Sequence, residues 1–213
     1  MQSIEIDTVV HHFSHRPATG GAPCIVFINS LGTDFRIWDG VVDLLEGGWG
    51  VLRYDMRGHG LTGVGPVPYT MDGLAGDLAS LLHHNGIENA VICGVSVGGQ
   101  VAQQLYHRCP HLVSGLVLCN TAAKIGEPAF WARRIEAIAR DGLASVTDAI
   151  MERWFSPEFR ASGGPQYSLA RAMFERQPVE GYLATCEAIA AFDRRADAKS
   201  IACPVAVLVG SQD

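Results

Sequence analysis

The segment Ala90-Val-Ile-Cys-Gly94-Val-Ser96-Val-Gly98 constrains the fold of this chain more than any other. A short apolar run bounded by Asn89 reads as a buried parallel strand. It passes through a serine flanked by glycines into a helical stripe, Val97, Val101 and Leu105, that Pro110 limits. A serine hydroxyl is a weak nucleophile until a base takes its proton, and it must stand clear of the sheet to meet a substrate. A sharp strand-to-helix turn presents it so, and requires small residues where strand and helix backbones nearly touch. Gly94 and Gly98 fit those places, which makes Ser96 a candidate nucleophile.

The rest of the chain supports an α/β architecture. Residues 3–14 read as a hairpin turning near Asp7-Thr8, and Cys24–Ile28 as a buried strand followed by an amphipathic helix from about Phe35 to Glu46. A strand over 49–54, a helix over 71–84 and a strand over 115–119 continue the alternation expected of a parallel sheet covered on both faces. Between Thr121 and Ser200 the strands stop. Helical stripes follow Pro128 to a stop at Gly142, run through Val146, Ile150 and Trp154 to Ser156-Pro157, and resume over 169–175 and 179–192 after Gly163-Gly164-Pro165. We expect residues 1–120 to form the core, 121–199 a helical lid over the site, and 200–213 a return to the sheet through Cys203–Val209 and a loop ending at Asp213.

Composition excludes several classes. Sixteen Lys and Arg against 22 Asp and Glu leave a net charge of −6, so no nucleic-acid footprint is expected. No apolar run reaches the length of a membrane span. The first residues lack the pattern of a secretory signal, and six cysteines without a C-x-x-C pair suit reduced thiols in a cytoplasmic protein. Neither metal nor organic cofactor is expected.

Other motifs are weaker. In the loop Asn29-Ser30-Leu31-Gly32 after the first buried strand, the Leu31 N–H, with that of Val97, is a candidate oxyanion donor; an ordinary turn would also favour Asn and Gly. Gly58-His59-Gly60-Leu61-Thr62-Gly63 matches G-x-G-x-x-G, but Pro66 and Pro68 follow and no helix can continue, so it is no dinucleotide fingerprint. His59 reads as a loop histidine bonded locally, with an approach to Ser96 as the sharper alternative. Arg134, three residues from Trp131, shares a helix face that also borders Ile138. The spacing leaves both an anion clamp and a solvated face open, with Arg133 as the next candidate.

With these residues in hand, the chain resembles the 3-oxoadipate enol-lactonases of the α/β-hydrolase superfamily, enzymes of aromatic-acid catabolism (the β-ketoadipate pathway). The resemblance runs from about Ile25 to Asp213 and rests on INSLGTDFRIWD at 28–39, LRYDMRGHGLT at 52–62, CGVSVGGQVAQ at 93–103, LVLCNTAAKIGEPAFWARRIEAI at 116–138 and RWF at 153–155. It implies an α/β-hydrolase fold and a serine esterase acting on a small anionic lactone. Its triad acid would be Asp213, in GSQD, and Trp131, Arg134 and Trp154 would line the substrate site. The oligomeric state stays open. In that family a helix, a strand, a loop with the catalytic histidine and a closing helix follow, roughly 40–50 residues at average element lengths. All eight histidines here lie at or before His111. The resemblance therefore implies a truncated chain without the last strand and helix, and so inactive. A general carboxylesterase, a carbon–carbon bond hydrolase and a non-catalytic ligand-binding protein of the same fold are the alternatives.

Overall fold

The computed structural model describes residues 1–212. Seven strands form one sheet in the order β1-β2-β4-β3-β5-β6-β7. Strands β1 (Gln2–Ile6) and β2 (Val9–Arg16) are the expected hairpin. Their turn takes Asp7 and Thr8 through φ of 47° and 67°, the left-handed pair that matches the strands' own twist. β2 runs antiparallel to β4 (Gly50–Tyr54). From there β3 (Cys24–Ile28), β5 (Ala90–Val95), β6 (Val113–Cys119) and β7 (Val205–Leu208) are parallel.

Side chains of the inner strands alternate between two apolar layers. Val26, Ile28, Leu52 and Ile92 enter the larger one, beneath α2 (Met71–His84) and α3 (Val97–Arg108). Phe27, Val51 and Cys93 enter a smaller layer with Trp38. This two-sided burial explains the continuous apolar runs of β3 and β5.

The helix expected over 35–46 is not there. Phe35–Trp38 makes a 3-10 turn capped by Asp34, and α1 is the single turn Asp39–Val42. Gly40 and the β-branched pair Val41-Val42 propagate a helix poorly, and Leu44, which the amphipathic pattern would bury, is 82% exposed.

Between β6 and β7 the chain makes five helices: α4 (Pro128–Asp141), α5 (Thr147–Trp154), α6 (Pro157–Ser162), α7 (Pro165–Glu175) and α8 (Val179–Ala191). Sequence reasoning missed α6. Ser156-Pro157 does more than close α5: Ser156 accepts a hydrogen bond from Phe159 N–H (3.3 Å) and Pro157 takes the first helical position. α7 likewise begins at Pro165, four residues before the stripe that betrayed it. β7 forms the sheet's far edge, with Val207 70% and Val209 72% exposed. Among the described residues no helix is long and apolar enough to cross a membrane.

Candidate active site

Ser96 sits between β5 and α3 with φ 55° and ψ −119°, a conformation that a side-chain-bearing residue holds only under constraint. The constraint is visible on both sides. Ser96 N–H donates to the Cys119 carbonyl on β6 (3.0 Å), and Thr121 Oγ1 donates to the Ser96 carbonyl (2.6 Å). A Cβ placed on Gly98 would lie 2.5 Å from the Ile28 carbonyl oxygen and 2.8 Å from that of Asn29; one on Gly94 would strike the Gly98 backbone. Helix and strands touch backbone to backbone, as the glycine spacing requires.

Gly99 and Gln100 N–H both donate to the Ser96 carbonyl (3.0 and 3.4 Å). Val97 and Gly98, as the first residues of α3, have amides with no acceptor within their own helix. Val97 therefore carries an N–H suited to an oxyanion, next to the half-buried Ser96. Leu31 lies across from it at the carboxyl end of β3, in a loop ordered by Asn29. The Asn29 amide is fully buried and donates to the Ser30 and Thr33 carbonyls. Thr33 closes the same loop through its N–H and hydroxyl, both to the Ser30 carbonyl (3.2 and 2.8 Å). Gly32 adopts φ 78°, and a Cβ there would lie 2.7 Å from Phe174 Cδ2 and 3.1 Å from Tyr182 Cε2. Leu31-Gly32 thus lies directly under α7 and α8.

The sequence-derived binding residues fall around these two rings. Trp131 is buried and anchored by its indole N–H to the Ile125 carbonyl (2.7 Å). The Arg134 guanidinium carbon lies 5.4 Å from the Trp131 ring and 5.6 Å from the Tyr182 ring, and its Nη2 donates to the Tyr182 hydroxyl. Among the described residues Arg134 has no carboxylate partner, and its Nε is buried without an acceptor. Arg134 is half-buried, whereas Arg133 is exposed. Trp154 meets Phe174 edge to face (5.9 Å), and Phe174 meets Tyr182 in the same way (5.6 Å). Asp213, the sequence-derived acid, lies outside the described residues.

His59 is fully buried, with Nδ1 3.2 Å from the Arg57 carbonyl. Burial lowers its pKa, only partly opposed by that carbonyl. The local hydrogen bond is the blander of the two readings. No histidine among the described residues is hydrogen-bonded to the Ser96 hydroxyl. The surrounding loop is held by Asp55, which accepts from the Phe35 and Leu61 N–H groups (both 2.9 Å) and pairs with His12 (2.8 Å). All six cysteines are free thiols. No group of three or more His, Cys, Asp or Glu among the described residues is placed to hold a metal ion. A cavity of about 390 Å³ opens beside Cys24 and Asn89, at the amino ends of β3 and β5 and so at the opposite end of the sheet from Ser96.

A model for the α/β hydrolase fold matches residues 23–178. The chain belongs to the α/β hydrolase family. A curated relative of this hydrolase, 3-oxoadipate enol-lactonase 2 of Acinetobacter baylyi, is 35% identical over 90% of this chain and 72% of its own length. The enol-lactonase structure from Burkholderia xenovorans superposes with a TM-score of 0.94 at 35% identity, covering 99% of this chain and 81% of that one. A thermophilic esterase from Thermogutta terrifontis superposes at 0.89 with 26% identity, covering 99% and 80%.

Sequence reasoning did not single out three buried residues that pack around Arg134 and the Leu31-Gly32 and Gly60 loops: Tyr182, Phe174 and Gln177. Gln177 accepts from the Gly60 N–H across 117 residues (3.0 Å). In the sequence, an aromatic on an apolar helix face reads as core, and a glutamine between two helices reads as a turn residue.

Proposed function

We propose that this hydrolase opens the ring of a small anionic enol-lactone, with 3-oxoadipate enol-lactone, an intermediate of aromatic-acid breakdown, as the specific candidate. The observation that carries the reading is Arg134, a guanidinium between Trp131 and Tyr182 that has no carboxylate partner among the described residues and whose Nε is buried without an acceptor. A buried N–H without a partner is costly, and a substrate carboxylate supplies the acceptor. The chain's net charge of −6 repels an anion at long range, so a local cation has to hold it. The two enol-lactonases at 35% identity support the same substrate class.

In this mechanism Ser96 Oγ attacks the lactone carbonyl as its proton passes to a base. The tetrahedral oxygen receives hydrogen bonds from the Leu31 and Val97 N–H groups. Collapse breaks the ring C–O bond and expels an enolate, which becomes a ketone on protonation at carbon. Water then cleaves the acyl-enzyme to a carboxylate and restores Ser96. The family resemblance assigns Asp213 the task of orienting the base.

The similarity to an esterase keeps a second reading, a general carboxylesterase, in view. Arg134→Met, assayed in the gene's full reading frame, separates them. It keeps the apolar stem and removes the charge, and kcat/KM on the enol-lactone should fall roughly ten- to a hundredfold while a small neutral ester is hydrolysed as before. Equal losses on both substrates would assign Arg134 a structural role, and no loss would favour the esterase. A fluorophosphonate probe should label Ser96 alone, and Ser96→Ala should abolish turnover; labelling elsewhere would displace Ser96 from the mechanism.

A further inference from the structure

Arg134 and the Leu31-Gly32 loop belong to different layers, yet one side chain touches both. The Tyr182 hydroxyl accepts a hydrogen bond from Arg134 Nη2, while Tyr182 Cε2 comes within 3.1 Å of where a Gly32 Cβ would stand. Tyr182 is fully buried. Its own frame is the core: the preceding residue, Gly181, packs so closely on Gly58 that a Cβ on either would lie 2.5 Å from the other's Cα. The Gln177–Gly60 hydrogen bond fixes the entry to α8 in the same way. α4, which carries Arg134, is seated through side chains instead, by buried Trp131 and Ile138. Arg134 is half-buried and reaches the core through the two rings that sandwich it.

We propose that Tyr182 is a positioning residue that sets the charge-binding group and the oxyanion loop in one frame. Its hydroxyl fixes the Arg134 guanidinium, and its ring, with Phe174, holds Gly32 in its left-handed conformation. The distance between the substrate's carboxylate and its reacting carbonyl is then matched by a single side chain of α8. This extends the anionic-substrate reading and rests on it. Burial keeps the phenol protonated far into the alkaline range, so the contact is the same across the working pH.

The two halves of the role are separable by substitution. Tyr182→Phe keeps the ring and removes the hydroxyl. It should raise KM for the enol-lactone, and the inhibition constant of adipate against neutral-ester hydrolysis, roughly three- to tenfold, and change neutral-ester turnover by clearly less. Adding it to Arg134→Met should cause no further loss. Tyr182→Leu also removes the ring beside Gly32 and should lower kcat on both substrates about ten- to a hundredfold. If Tyr182→Phe changes neutral and anionic substrates equally, or neither, the positioning role is wrong. Failure to open the lactone while adipate inhibition still depends on Tyr182 would overturn the substrate and leave the positioning role standing. Loss at Arg134→Met with a silent Tyr182→Phe would do the reverse.

Discussion

The serine turn and the helical insertion are built by opposite means. Around Ser96 the parts meet backbone to backbone: Gly98 against the Ile28 and Asn29 carbonyls, Ser96 N–H on the Cys119 carbonyl. Above it, Trp131, Arg134, Tyr182, Phe174 and Trp154 meet through side chains drawn from four helices. A backbone contact tolerates one residue, glycine, and so leaves a mark in the sequence. Side-chain packing tolerates many combinations of similar volume, so the first region is fixed residue by residue while the second can vary.

The strongest way to break this contrast is Gly98→Ala. The added methyl meets carbonyl oxygens that cannot move aside, and the expected loss is about 3 kcal/mol, read as a lower urea midpoint. A loss under about 0.5 kcal/mol would show that the turn is softer than its contacts imply. Gln177→Leu probes the insertion's attachment. It leaves the Gly60 N–H without its acceptor, for about 1–2 kcal/mol; stability equal to the parent would mean that the packing of Gly181 on Gly58 suffices.

Smaller effects sharpen the comparison. Ser96 holds its strained φ as a non-glycine residue, so Ser96→Gly should raise stability by about 1 kcal/mol while destroying activity. A lower melting temperature would mean that the serine side chain stabilises the turn it strains. The least effect is expected from pH. Burial lowers the pKa of both His11 and His59. His11 faces Asp77, Arg57 and Asp7; His59 lies near Asp55 and Asp34. Each stays neutral in the fold while the unfolded chain takes up a proton near pH 6.5, so stability is present above that pH and falls as the solution is acidified toward the folded pKa. Between pH 7.5 and 6.0 each histidine can cost at most about 0.8 kcal/mol. His11→Gln should flatten its share of the slope, and an unchanged slope would assign it to other groups.

Most of the sheet and its helices were legible because periodicity and punctuation are local. The bounds of α4 follow from Pro128 and Gly142. Where local signals conflicted with tertiary packing, the reading failed: the 35–46 stripe looked amphipathic, yet Leu44 has nothing to pack against. Ser96, Leu31 and Val97 could be proposed as site residues because turn chemistry ties them to their strands. Arg134 could be proposed from its spacing to Trp131, but that spacing left its surroundings open.

What the amino-acid sequence determined alone is the serine turn, the parallel sheet that presents it, and the helices inserted after β6. Each depends on interactions between residues a few positions apart, or on the steric demand for glycine. Only the tertiary structure decided that Tyr182 stands between Arg134 and Gly32, 48 residues from the first and 150 from the second. Contacts over such separations depend on how whole elements stack, and a buried aromatic satisfies the same local pattern whether it fills a core or aligns a substrate.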